Sequence, residues 1–161
     1  QAILTKNKHK TGTDRIFEAL QKINISNIEL VMNLQGDEPL IDINDIIYLK
    51  SQMIKFRSKL GTLASKISNK ELYENQNIVK VITKEDLNNF NFPEAKNFMR
   101  KVSNKTQNIY HHLGIYCYQR EILKKFISLD QSQNEIKNNL EQLRALDNGI
   151  NINVALSKST Q

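Results

Sequence analysis

Four short segments of this 161-residue chain bring together side chains able to do chemistry. The first is Gln35-Gly36-Asp37-Glu38-Pro39, which follows an apolar strand-like run. In open α/β sheets, ligands sit beyond the carboxyl ends of strands, and a carboxylate there can hold Mg²⁺, a hard cation that favours carboxylate and phosphate oxygens. An acidic turn closed by Pro39 is the plain alternative. The second is His9-Lys10-Thr11-Gly12-Thr13-Asp14-Arg15 at the start of a helical pattern. Free backbone N–H groups and a glycine there suit an anion or a ribose, although Thr13-Asp14 also reads as an ordinary helix cap. In the third, His111-His112-Leu113-Gly114-Ile115-Tyr116, strand alternation puts His112, Gly114 and Tyr116 on one face and Leu113, Ile115 and Cys117 on the other. The glycine leaves room for a polar ligand between imidazole and phenol; a solvated strand face is the alternative. The fourth is Leu140-Glu141-Gln142-Leu143-Arg144. Adjacent helical residues differ by about 100° in direction, so Glu141 and Gln142 cannot both be buried beside the leucines of one regular helix.

The elements needed to position these segments are visible in the pattern. Ile16, Ala19, Leu20 and Ile23 fall at i, i+3, i+4 and i+7, one helical stripe. Residues 28–34 read as a strand, 43–56 as a helix, and 60–67 and 78–82 as strands. Residues 83–111, with Pro93 and the Asn-rich stretch Asn88-Asn89-Phe90-Asn91, read as an irregular excursion. A strand over 113–118, helices over 119–129 and 134–147, a stop at Gly149 and a strand over 150–156 complete the chain. Alternating helices and strands predict an α/β layered domain, in three layers around a mostly parallel central sheet.

Composition narrows the function classes. Apolar residues make up 39% of the chain, enough for one core, and no run approaches a membrane span. The single cysteine, Cys117, excludes an internal disulfide and any zinc site built on paired cysteines. Its apolar surroundings predict an inert core thiol, and cysteine usage suits the cytoplasm. The net charge of +6 raises the possibility of nucleic-acid binding, but 18 lysines are scattered along the chain without aromatic interleaving. A basic surface facing solvent, or facing an anionic small substrate, is the better reading, with neither nucleic acid nor membrane as partner.

Taken in order, Thr11-Gly12-Thr13-Asp14-Arg15, Asn33-Leu34-Gln35-Gly36-Asp37-Glu38-Pro39-Leu40-Ile41, Leu60-Gly61-Thr62-Leu63-Ala64, Val79-Lys80-Val81, His112-Leu113-Gly114-Ile115-Tyr116 and Leu140-Glu141-Gln142-Leu143-Arg144-Ala145-Leu146 resemble the CMP-Kdo synthetase family, the 3-deoxy-manno-octulosonate cytidylyltransferases. The resemblance implies a nucleotidyltransferase fold that is Rossmann-like. It implies attack by the anomeric hydroxyl of Kdo on the α-phosphate of CTP with Mg²⁺ as cofactor, in a cytoplasmic homodimer serving lipopolysaccharide synthesis. Asp37 then matches the metal-binding, catalytic aspartate. Gln35, His112, Tyr116, Glu141 and Gln142 match sugar-binding residues, and Thr11, Gly12, Thr13, Asp14 and Arg15 match a segment near the nucleotide. Arg100, in Phe98-Met99-Arg100 where the family has Phe-Ser-Arg, implies a cation facing the sugar carboxylate. Residues 1–161 are expected to form a single domain lacking the family's N-terminal triphosphate loop and its C-terminal Val-Asp-Thr-Pro acid, and to be inactive alone. A related acid sugar (8-amino-Kdo or a sialic acid), a non-catalytic basic binding module and an inert remnant are the competing readings.

Overall fold

The computed structural model describes residues 2–23, 25–36, 41–102 and 106–157. The first helix, α1 (Gly12–Lys22), begins earlier than the Thr13-Asp14 cap expected from sequence, because Thr11 is the N-cap. Its hydroxyl accepts from the Asp14 N–H at 3.3 Å, and the Asp14 carboxylate accepts from the Thr11 N–H at 2.9 Å. This reciprocal box satisfies two N–H groups that the first helical turn leaves without intrahelical partners. Next come β1 (Leu30–Leu34), α2 (Ile43–Lys55), β2 (Leu60–Ser65), α3 (Lys70–Glu74), β3 (Lys80–Thr83), β4 (Ala95–Met99) and β5 (Ile109–Gln119). The chain continues through α4 (Arg120–Ile127), α5 (Gln133–Asn138), α6 (Leu143–Asp147) and β6 (Asn153–Leu156). No helix among the described residues is long and apolar enough to cross a membrane.

The six strands form one sheet in the order β4-β3-β5-β2-β6, with β1 also paired to β5. The sheet is not mostly parallel: among the described residues only β2 with β6 is parallel, and the pairs β1–β5, β2–β5, β3–β4 and β3–β5 are antiparallel. The physical reason is the long strand β5. It runs against β2 along one edge and against both β1 and β3 along the other, so one reversed central strand turns most of the pairings antiparallel.

Both faces of the sheet are packed. Leu20 of α1, Leu123 and Phe126 of α4, and Leu143 and Ala145 of α6 join Tyr116 and Tyr118 of β5 in one cluster. Leu49 and Met53 of α2 join Leu113, Ile115 and Cys117 in the other. Alternate residues of β5 thus serve opposite faces, which gives the three α/β layers. Gly61 permits the close seat of α2: a Cβ there would lie 2.6 Å from Met53 Sδ and 2.7 Å from Phe92 Cζ. Cys117 is fully buried, and burial pushes its thiol up to about 11, as expected of an unreactive core residue.

Two elements differ from the sequence reading in ways that matter below. The expected helix over 134–147 is two short helices. Asn139 caps α5 in the left-handed conformation (φ 51°), which asparagine tolerates better than most residues, and residues 140–142 form a turn before α6. The stop at Gly149 is as expected, with φ +68°. The stretch read as irregular holds β4, paired with β3 through a register shift between Ile82 and Thr83.

Candidate functional site

The site is a gap built into the sheet. Leu34, the last residue of β1, stands opposite Ile115 of β5, and Lys80, the first of β3, stands opposite His111. Both strands run antiparallel to β5 along the same edge, one ending and the other beginning on either side of Gly114. Between them opens a cavity of about 470 Å³. Gln35 enters it from the end of β1, and Asn77, Ile78 and Val79 from the approach to β3. Thr11 and Gly12 at the start of α1 and Glu141 and Gln142 on the turn between α5 and α6 close its other sides.

His112 and Tyr116 stand on one face of β5, as alternation predicts, with ring centroids 5.3 Å apart. Neither is solvated. They are 7% and 6% exposed and belong to an aromatic row running from Phe98 through His112 and Tyr116 to Tyr118. Burial, helped by the neighbouring His111, pushes the His112 imidazole down to about 3. Burial also raises the Tyr116 phenol well above its usual 10, with Tyr118 and Glu141 adding to the effect. Both groups are therefore neutral at pH 7. A histidine held below its ordinary 6.5 takes up its proton more readily in the unfolded chain. Stability is thus expected to fall as pH drops from about 6.5 toward 3, by up to about 1.4 kcal/mol per pH unit. Urea midpoints measured from pH 7 to pH 4 should fall less steeply in His112→Gln than in the wild type. Parallel curves would remove His112 as the source.

Glu141 and Gln142 reach the cavity together because the helix breaks at Asn139. That break resolves the geometric conflict of two adjacent polar residues within a leucine stripe. Gln142 is 9% exposed, while Leu140 and Leu143 on either side of the pair are buried. Burial raises the pKa of Glu141, opposed by the Thr13 and Thr11 hydroxyls and by Arg144. Its Oε1 is nevertheless buried with no hydrogen-bond partner, a costly arrangement that a ligand donor would relieve.

Arg100 lines the same cavity from the end of β4. Its guanidinium donates to the carbonyl oxygens of Gln76 at 3.2 Å and Asn77 at 3.4 Å. Beneath it, the fully buried Lys80 donates to the carbonyl oxygens of Arg100 at 2.9 Å and Asn75 at 2.5 Å. Of the segment from Thr11 to Arg15, only Thr11 and Gly12 line the cavity. Thr13 lies buried behind it, accepting from Asn33 Nδ2 at 3.2 Å. The Asp14 carboxylate belongs to the helix cap, and Arg15 turns away to Thr5 Oγ1 at 2.7 Å and Lys6 O at 3.1 Å. Asp37 lies outside the described residues.

Sequence reasoning did not single out Asn77 and Asn139 in the cavity wall; it quoted Lys10, also in that wall, within the second segment without a role of its own, and gave no role to Lys80 and Thr62 beside the cavity. Lys80 left a usable signal in Ile78-Val79-Lys80-Val81-Ile82: both faces of that run are apolar, and a charge held within a strand buried on both faces needs partners.

A family model for cytidylyltransferases matches residues 1–152. The chain is 41% identical to the 3-deoxy-manno-octulosonate cytidylyltransferase of Thermodesulfovibrio yellowstonii, over 98% of this chain and 66% of that protein. It is 37% identical to the 3-deoxy-manno-octulosonate cytidylyltransferase of Francisella tularensis subsp. novicida, over 99% and 67%. The solved structure of CMP:2-keto-3-deoxy-manno-octonic acid synthetase complexed with CTP superposes with a TM-score of 0.83 at 32% identity, over 98% of this chain and 64% of that one. UDP-glucose pyrophosphorylase complexed with UDP-glucose superposes at 0.56 with 15% identity, over 92% of this chain and 54% of that one, a likeness of fold alone. The chain spans about two thirds of the length of the curated relatives it matches.

Proposed function

The chain belongs to the cytidylyltransferase family, and on that premise we propose that the full-length protein transfers a cytidylyl group from CTP to Kdo, giving CMP-Kdo and pyrophosphate. The observation that supports this best is convergence. Gln35, Arg100, His112, Tyr116, Glu141 and Gln142, spread over more than a hundred positions, line one polar cavity with Thr11 and Gly12. A polyhydroxylated acid needs such a set, because each desolvated hydroxyl left without a partner costs about 1–3 kcal/mol. Arg100 supplies the cation for the sugar carboxylate. Gln142, Tyr116, Glu141, His112 and Gln35 supply the neutral and acidic partners for hydroxyls, and Thr11 and Gly12 lie toward the nucleotide. The anomeric oxygen of Kdo forms a bond to the α-phosphorus, the bond to the β-phosphate oxygen breaks, and the hydroxyl proton is released. The protein's work is then positioning and charge neutralisation.

Among the described residues no group of three or more His, Cys, Asp or Glu side chains could hold a metal ion. Mg²⁺ does not require one, since it commonly binds through one or two carboxylates plus substrate phosphates and waters. Asp37, one residue beyond Gly36, is the carboxylate assigned to it here. When bound, the ion would offset charge on the triphosphate. A homodimer, a cytoplasmic setting and a place in lipopolysaccharide synthesis complete the proposal.

The test is a two-substrate kinetic titration of the full-length protein. Gln142→Ala is expected to raise the KM for Kdo about tenfold while the KM for CTP stays within about twofold, because one neutral contact to the sugar alone is lost. Tyr116→Phe should do the same more mildly. Equal weakening toward CTP, or no effect on either substrate, would remove these residues from the sugar site.

A further inference from the structure

Thr62 is fully buried on β2, directly opposite Tyr116 and beside the cavity rather than in its wall. The ladder is irregular there: Thr62 pairs with Tyr116 but Leu63 pairs with Leu113, so Gly114 and Ile115 are extra residues on β5. Into this irregular stretch Thr62 sends its hydroxyl. Oγ1 lies 2.6 Å from Ile115 O, 3.4 Å from Leu113 O and 3.0 Å from His112 Nε2.

These distances determine where the protons are. A carbonyl oxygen only accepts, and a hydroxyl has one proton to give. That proton goes to Ile115 O, the short contact. Toward His112 the hydroxyl therefore turns a lone pair, so Nε2 must carry a hydrogen and donate. A neutral imidazole has one N–H, which leaves Nδ1 unprotonated. His112 is neutral because it is buried in the aromatic row between Phe98 and Tyr116.

We propose that Thr62 is a positioning residue that holds His112 as the Nε2–H tautomer, so that the only ring atom the imidazole can offer a ligand is an acceptor, Nδ1, suited to a hydroxyl and repelled by a carboxylate. The identity of that ligand as a sugar acid rests on the function proposed above; the tautomer does not. The cavity then divides its labour. Arg100 takes the carboxylate, His112 receives a hydroxyl proton, and the sugar acid has one orientation that satisfies both. Histidine tautomers are commonly set by the hydrogen bond at the other ring nitrogen. Here the partner is a threonine that is itself saturated by a backbone carbonyl.

The experiment is two-bond ¹H–¹⁵N correlation spectroscopy of the ¹⁵N-histidine-labelled full-length protein at pH 7, with the His112 signals assigned by loss in His112→Gln. The wild type is expected to show a protonated Nε2 and an unprotonated Nδ1. Thr62→Val keeps the shape but removes the lone pair; it should mix the tautomers and raise the KM for Kdo about fivefold with the KM for CTP unchanged. Thr62→Ser should restore both. An Nδ1–H tautomer or an imidazolium in the wild type overturns the proposal, and that measurement needs no variant to fold. An unmoved tautomer in folded Thr62→Val overturns it equally. A shifted tautomer with an unchanged KM for Kdo overturns the recognition role if Gln142→Ala does raise that KM. If Gln142→Ala also leaves it unchanged, the sugar-acid assignment of the cavity has failed instead.

Discussion

Asp37→Asn in the full-length protein is expected to lower turnover of CTP and Kdo by about a hundredfold to a thousandfold, comparable to losing one preorganised group that stabilises transition-state charge in other enzymes, such as an oxyanion-hole donor. The substitution keeps the size of the side chain and removes its charge, so the metal ion proposed above would lose a ligand and the electrostatic attraction that would place it. The effect should fall on kcat more than on the KM for Kdo, because metal-bound oxygens matter most as charge develops on the transferring phosphoryl group. Position in the chain supports the assignment. Gln35, two residues earlier, lines the cavity at the carboxyl end of β1, where ligands of α/β folds gather. The measurement is steady-state kinetics over a wide range of Mg²⁺ concentration. Turnover of Asp37→Asn near the wild-type value at saturating Mg²⁺ would take Asp37 out of the mechanism.

Arg144→Met is expected to destabilise the protein by about 3–5 kcal/mol, the usual cost of leaving one member of a buried ion pair alone. Arg144 and Glu135 are 2% and 3% exposed. The guanidinium donates from Nε to Glu135 Oε2 at 2.8 Å and from a terminal nitrogen to Oε1 at 2.6 Å, a two-pronged contact. The same carboxylate accepts from Gln131 Nε2 at 3.1 Å and from the Ser132 N–H at 3.2 Å, and the guanidinium lies 4.6 Å from the centre of the Phe126 ring. Burial raises the pKa of Glu135, but these partners outweigh it and the net shift is downward. Glu135→Gln should cost less than Arg144→Met, since it leaves a neutral acceptor in place. The paired replacement Glu135→Leu with Arg144→Met should recover part of the loss, as apolar substitutes often do at buried pairs. Urea unfolding of the wild type, the two single variants and the paired variant checks all of this. A loss below about 1 kcal/mol for Arg144→Met would show that the pair contributes little. The pair also ties α5 to α6, and the turn between them bears Glu141 and Gln142. A rise in the KM for Kdo should therefore accompany the loss of stability.

Much of this protein could be read from local pattern. The stripe of Ile16, Ala19 and Leu20, the alternation from Leu113 to Cys117 and the left-handed glycine at 149 are short-range signals, and each corresponds to an element or its end in the structure. The side chains of the cavity were also legible as types, because a polar pair beside buried leucines, or a histidine and tyrosine flanking a glycine on one strand face, is unusual enough to notice. Strand direction was not legible. An amphipathic strand looks the same in parallel and antiparallel neighbours, and only the packing of the long β5 against β1, β2 and β3 decides it. The break at Asn139 was hidden for a related reason. Its helical stripe continues through Leu140 and Leu143, and the left-handed turn goes with two contacts that no local pattern carries, Arg144 on Glu135 and Gln142 in the cavity wall. Arg100 and the proton on His112 depend on tertiary structure most of all. The first is placed by the ammonium of Lys80, 20 positions away, and the second by the hydroxyl of Thr62, 50 positions away. A hydrogen bond over such a distance leaves no periodic trace in a sequence, because its geometry exists only once both strands are in the sheet.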